Sequence, residues 1–220
     1  MIIQGKVNAP TNVSGTDGVS YDVLQGKSQE LIVSALHGKY FTQAYRGNVF
    51  IGTTAAAGVT PPIFSNANET FGIWNYAGSG VLAVPISCQI GYVSGTAAPG
   101  NFLYSYLTGM GSSLGTPITA FTAVNPVNAY LGAGNTAKVK FAPATITLSA
   151  AAAALTAIVK TMGVSQMTTT AASTTAPMWI AREDFDGMIV IPPNTLFMVA
   201  SNMASATICD ITLVWEEVPI

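Results

Sequence analysis

The closing stretch of the chain, residues 207–218, alternates with a period of two: Cys209, Ile211, Leu213 and Trp215 fall on one side, Ile208, Asp210, Thr212 and Val214 on the other. Successive side chains of a strand point to opposite faces of a sheet, so this pattern predicts a strand whose first set faces a core. A strand must also satisfy the backbone N–H and C=O groups along its edges, which calls for partner strands. The chain supplies them. Runs at 31–36, 40–51, 81–93, 101–107 and 118–124 are rich in Val, Ile, Tyr, Phe and Thr and are bounded by Gly, Pro and Asn, the punctuation of half-buried strands. Runs at 138–142 and 145–148 are separated by Pro143, which predicts an edge or a bend. Trp74-Asn75-Tyr76-Ala77-Gly78-Ser79-Gly80 reads as a turn that closes a corner, because its glycines accept positive φ. Asp186-Gly187, set between Phe185 and Met188, predicts a hairpin, and Pro192-Pro193-Asn194-Thr195 a turn before a further run at 196–200.

Helix is expected in one segment only, 150–159, where an alanine run favours it, although a strand-rich context can override that propensity. No helical pattern of 10 to 15 residues alternates with the strands, so a parallel βαβ fold is not expected. The expected fold class is all-β: an antiparallel β-sandwich of jelly-roll type with an extended N-terminal arm. The arm is residues 1–29, where Val7, Val13, Val19, Val23 and Leu24 are scattered singly among Gly, Asn, Ser and Thr. Residues 30–220 are expected to form a single sandwich domain with a Thr/Ala-rich insertion near 168–177. A chain of 220 residues is long enough to bury one substantial core without disulfide or metal staples.

Charge narrows the function classes. Only 8% of the residues are charged, against roughly 25% in an average soluble domain, and the formal net charge is -2. Nucleic acid is not an expected partner, because neutralising phosphates needs clustered Lys and Arg. Neither is a membrane: the longest apolar stretch, 150–159, is interrupted by Thr156 and stopped by Lys160, whereas a spanning helix needs about 20 apolar residues. An outer-membrane barrel would need an export signal, and residues 1–6 have neither a basic nor an apolar signal region, so synthesis and retention in the cytoplasm are expected. A chain this apolar and this neutral is expected to bury part of its surface against copies of itself.

Catalytic signatures lack their partners. Gly111-Ser112-Ser113-Leu114-Gly115 matches the nucleophile elbow of α/β-hydrolases, but that fold orders its triad Ser, acid, His, and the single histidine, His37, lies upstream. Cys88 and Cys209 are far apart and read as buried free thiols. One histidine and two distant cysteines do not make a zinc site. Glu183, Asp184 and Asp186 beside Arg182 lack EF-hand spacing and read as a solvated, Arg-paired hairpin. Trp74, Trp179, Tyr76, Tyr104 and Tyr106 are candidates for a sugar platform, against the ordinary reading of aromatics in a sheet protein as core. No residue is assigned a catalytic, cofactor-binding or metal-ligating role, and no enzyme activity or cofactor is expected.

At Tyr45-Arg46-Gly47-Asn48-Val49-Phe50, at Trp74-Asn75-Tyr76-Ala77-Gly78-Ser79-Gly80 and at the terminal Thr212-Leu213-Val214-Trp215-Glu216-Glu217-Val218-Pro219, the chain resembles small structural proteins of tailed bacteriophages. The resemblance implies a virion component with a jelly-roll body, often a homotrimer, that decorates or cements a capsid or forms part of a fibre. The implied partners are further copies of the chain and the major capsid protein or another virion protein, in a particle assembled in the host cytoplasm. Three readings stay open: a capsid decoration or cement protein, a receptor- or glycan-binding fibre or spike module, and a cytoplasmic hydrolase on a β-sandwich.

Overall fold

The computed structural model describes residues 5–6, 23–24, 38–64, 68–69, 71–95, 100–115, 117–132, 134–162, 180–202 and 207–220. The chain falls into two compact units, Met1–Phe41 and Thr42–Ile220. In the first, β1 (Gly5–Lys6) pairs in parallel with β2 (Val23–Leu24). Apart from that pair, the arm expected over 1–29 lies outside the described residues, as do the run at 31–36, His37, Trp179 and the Thr/Ala-rich stretch at 168–177.

Along the rest of the chain follow α1 (Phe41–Tyr45), β3 (Val49–Thr53), β4 (Asn68–Glu69), β5 (Gly72–Asn75), β6 (Val81–Ser94), β7 (Phe102–Thr108), β8 (Ile118–Phe121), β9 (Val127–Asn128), β10 (Lys140–Ala142), β11 (Ile146–Leu148), α2 (Ala150–Ala153), β12 (Ala157–Met162), β13 (Ile180–Asp184), β14 (Thr195–Ser201) and β15 (Ile208–Pro219). Two five-stranded antiparallel sheets result, in the orders β13-β6-β15-β3-β9 and β10-β5-β14-β7-β12, with a small third sheet, β4-β11-β8. The chain is an all-β sandwich. β3, β6, β13 and β15 lie in the first sheet and β5, β7, β12 and β14 in the second, and the excursion between β7 and β12 carries β8 to β11 and α2.

Two buried clusters hold these layers together. Between the large sheets lie Phe50, Ile73, Cys88, Ile90, Tyr104, Phe141, Phe197, Val199, Ile211, Leu213 and Trp215. On the other face of the second sheet, Trp74, Leu107, Leu196 and Met198 pack against Ile118, Phe121, Ile146 and Leu148 of the small sheet and Ala152 and Ala153 of α2. The second sheet is thus covered on both faces. β15 behaves as its alternation predicts, with Cys209, Ile211, Leu213 and Trp215 fully buried and the intervening residues half-buried.

Two local devices make this packing possible. Pro85 lacks an N–H yet lies within β6, an inner strand; the register with β15 shifts between Val214 and Trp215, and the bulge accommodates it. Gly52 on β3 leaves room for the Phe141 ring, which would lie 2.7 Å from a Cβ there.

Several expectations need correction. The run at 40–51 is not one strand: α1 occupies its first half and is closed by Gly47 at φ 74, with Asn48 N–H donating to the Gln43 carbonyl, before β3 begins. Helix in 150–159 is confined to α2, capped by the Ser149 hydroxyl accepting from Ala152 N–H, while Ala157, Ile158 and Val159 belong to β12. Alanine propensity yields there to β-branched residues with a strand, β7, to pair with. Trp74 and Asn75 belong to β5, and the turn occupies only the residues after them, with Gly78 and Gly80 at positive φ. Asp186 and Gly187, at φ 49 and 79, do form a tight turn, in which Met188 N–H donates to the Phe185 carbonyl. It is not a hairpin, because β13 and β14 lie in different sheets. The run at 118–124 is β8 up to Phe121, with Val124 making a single bridge to Phe141. Around Pro143 the chain bends from β10 in one sheet to β11 in another.

Candidate functional site

Among the described residues, one cavity lies at a lateral edge of the sandwich and another at the ends of β3, β6 and β15. At one edge, β12 ends one sheet and β13 the other, and an ion pair between Lys160 on β12 and Glu183 on β13 ties them together. Arg182 pairs with Asp184 at 3.1 Å on the outside of β13. The connection from the Asp-Gly turn to β14 crosses beside this edge and leaves a cavity of about 400 Å³ lined by Tyr106, Val159, Met188, Val190, Pro192 and Phe197. Phe197, which lines the cavity, packs against Tyr104 at 5.7 Å, and Tyr104 against Phe185 at 4.9 Å, so that ring is backed by a buried aromatic cluster. Tyr106, Ile158, Val159, Met188 and Val190 are all exposed. Such a surface binds by burying apolar area rather than by charge.

At the opposite edge, β9 and β10 end the two sheets. A second cavity, of about 360 Å³, opens at the ends of β3, β6 and β15 and is lined by Phe50, Val81, Asn135, Lys138, Glu217 and Pro219. Glu217 is 5% exposed, and its carboxylate accepts from Lys138 N–H at 2.8 Å, Val139 N–H at 3.0 Å and the Trp215 indole N–H at 3.4 Å. Both oxygens are engaged, so the group acts as a clamp that holds the entry to β10 against β15. Asn128 donates from its amide to the Gly47 and Asn135 carbonyls, at 2.8 and 3.0 Å, and ties the loops of this edge together. Val124, Val127, Tyr130 and Leu131 are exposed around it. On β10, the Lys140 ammonium sits 4.5 Å from the Trp74 ring and 4.9 Å from the Tyr76 ring.

No protein-family model, curated protein or solved structure matches this chain.

The residues singled out from the sequence are dispersed. Ser113 is in an exposed loop that leads into a strand, β8, whereas a nucleophile elbow requires a strand-to-helix turn. Cys88 and Cys209 are buried and free. Burial pushes both thiols up to about 12, so both are protonated and poor nucleophiles at neutral pH. Burial also raises the Tyr104 hydroxyl, with Cys88 and Glu183 adding to the shift; it lies within electrostatic reach of Cys88 without hydrogen-bond geometry. Of the aromatics considered for a sugar platform, Trp74 and Tyr104 are core, Tyr76 is partly buried, and Tyr106 is exposed in the apolar cavity. Among the described residues, no group of three or more His, Cys, Asp or Glu could hold a metal ion, and no helix is long and apolar enough to cross a membrane.

Sequence reasoning missed Glu217 and Asn75. Asn75 is fully buried and donates to the Val81 and Ile191 carbonyls, each at 2.9 Å, pinning the start of β6 to the connection that borders the apolar cavity. The signal for Glu217 was present: it continues the inward series 209, 211, 213, 215 by one more step. A carboxylate at a core-facing position demands donors, and here the backbone supplies them.

Proposed function

We propose that this chain is a non-enzymatic structural protein of a bacteriophage virion, a capsid decoration or cement protein that stabilises the shell through contacts between subunits, and that it acts as a homotrimer. The observation that carries this reading is the nesting of the strand pairs. Of the eight strands β3, β5, β6, β7, β12, β13, β14 and β15, the first pairs with the last, β5 with β14, β6 with β13 and β7 with β12, all antiparallel. Nesting of this kind supports the reading of a hairpin of eight strands rolled into two sheets, the jelly-roll architecture used by viral capsid and lectin domains. The low charge and the exposed apolar side chains at both lateral edges support burial between subunits. Quantifying the chain in purified particles against the shell protein tests the role. Comparable copy numbers are expected, and absence from the particle would overturn it. Light scattering tests the assembly, which should weigh about three times the 22.7 kDa chain.

A second reading, a receptor- or glycan-binding fibre module, is favoured by one observation: Tyr106 is exposed in the apolar cavity, where a ring can stack on a sugar. Glycan-array binding that is lost in Tyr106→Ala would promote it.

A further inference from the structure

We infer that the polar cavity at the ends of β3, β6 and β15, together with a tyrosine pair beside it, is a binding site for a neutral pyranose sugar, one C–H face of the sugar lying on the rings and its hydroxyls turned to the cavity. The inference concerns a single copy of the chain and rests neither on the trimer nor on the role in the shell.

Two features meet there. Tyr45, at the end of α1, and Tyr130, just after β9, are 61% and 43% exposed, and their rings lie 5.8 Å apart, tilted by 31°. Rings this open to solvent add little to the core and present an apolar surface with a polar rim. Neither belongs to the aromatics singled out from the sequence. Hydrogen bonds tie the pair to the cavity. The Asn135 amide donates at 3.3 Å to the carbonyl of Arg46, the residue after Tyr45. Asn128 accepts from Tyr130 N–H at 2.9 Å and donates to the Asn135 carbonyl at 3.0 Å. Asn135 in turn lines the cavity.

The lining selects the ligand. A volume of about 360 Å³ falls within the range of small-molecule sites, roughly 300–1,000 Å³, and has room for one sugar ring. The charged residues that line it, Lys138 and Glu217, are of opposite sign, so the cavity carries no net charge to favour an ion. Donors and acceptors are mixed. Glu217 Oε2 accepts from Lys138 N–H and keeps acceptor capacity. Asn135 donates to Arg46 and Asn48, while its side-chain oxygen accepts from none of the described residues. Asn48 and Thr136 add a second amide and a hydroxyl. Each sugar hydroxyl both donates and accepts, so a mixed, neutral lining beside an aromatic patch fits it better than an ion or a wholly apolar molecule.

The test is saturation-transfer difference NMR on the full chain with the methyl glycosides of glucose, galactose, mannose and N-acetylglucosamine at millimolar concentration. N-acetylneuraminic acid serves as the charged comparison, because Arg46 stands beside the tyrosine pair. At least one neutral sugar should take up saturation, most strongly at the C–H protons of one face. Tyr130→Ala should weaken its binding about tenfold, and Tyr130→Phe, which keeps the ring, should bind as the wild type does. Thr136→Val, an exposed change away from the rings, should weaken binding as well. Tyr106→Ala, in the apolar cavity at the other edge, should leave it unchanged. Melting curves confirm that each variant is folded. No saturation of any neutral sugar would overturn the inference, as would a preference for the charged one. Binding lost in Tyr106→Ala and kept in Tyr130→Ala and Thr136→Val would move the sugar to the apolar cavity and overturn this site while leaving the glycan-binding reading standing.

Discussion

β14 and β15 are both inner strands, each hydrogen-bonded on both sides, yet they meet opposite environments across their faces. All seven residues of β14 are buried, because Phe197 and Val199 enter the core between the large sheets while Leu196 and Met198 enter the second core under the small sheet and α2. β15 buries every second residue and leaves Asp210, Thr212, Val214 and Glu216 half-buried on the outer face of its sheet. The sequences match these environments: an unbroken apolar run from Leu196 to Ala200 in one, and in the other apolar residues at 209, 211, 213 and 215 with Asp210, Thr212 and Glu216 on the outer side. A strand's tolerance of polar substitution is therefore set by what covers its second face, not by its place within the sheet.

The sharpest way to break this comparison is to put the same kind of charge on each second face. Met198→Asp would bury a carboxylate with no partner, at a cost on the order of 5 kcal/mol, comparable with the whole stability of a small domain. No cooperative unfolding transition is expected in circular dichroism. A melting curve like that of the wild-type chain would mean that the small sheet and α2 do not seal that face.

Alkaline pH probes the face that β15 and its neighbour β6 turn inward. The Cys88 thiol is raised from 9.0 to about 12 by burial, so the folded chain keeps a proton that the unfolded chain loses. Its contribution is fully present below about pH 9 and is lost as pH rises toward 12, a fall of about 4 kcal/mol for this group. Urea midpoints should drop steeply over that window, and Cys88→Ala should flatten the slope. An unchanged slope in that variant would show that water reaches the thiol.

Glu217→Ala tests how the inward series of β15 ends. It would leave Lys138 N–H, Val139 N–H and the Trp215 indole without their acceptor, costing about 3 kcal/mol. Hydrogen exchange at Lys138 and Val139 should accelerate more than elsewhere in the sandwich. Equal acceleration throughout would make the clamp merely one part of global stability. The smallest effect belongs to Thr212→Lys on the outer face of β15, expected within about 0.5 kcal/mol of wild type by chemical denaturation. A larger loss would mean that this face is covered after all.

Period-two alternation carried information wherever one face met a core and the other did not, and so β15, with its core-facing residues, was legible in the sequence. The runs of β6 and β7 and the turn at Asn194 were legible for related reasons, since β-branched and aromatic content and turn residues act locally. The surface edges were not legible. Val127, Leu131, Ile158 and Met188 are ordinary apolar residues in sequence, and only the order of strands in the sheets puts them at two opposite rims.

The chain by itself determined that it would be built of antiparallel strands, which residues of the closing strand would face inward, and where several turns would fall, because side-chain period and backbone sterics are short-range. Tertiary structure alone decided the rest. It put Ala157, Ile158 and Val159 into β12 instead of a helix, sent the chain from the Asp186-Gly187 turn across to the other sheet, and gave Glu217 a core position with two backbone donors. Each of these depends on a partner distant in sequence, and no local preference encodes which partner arrives.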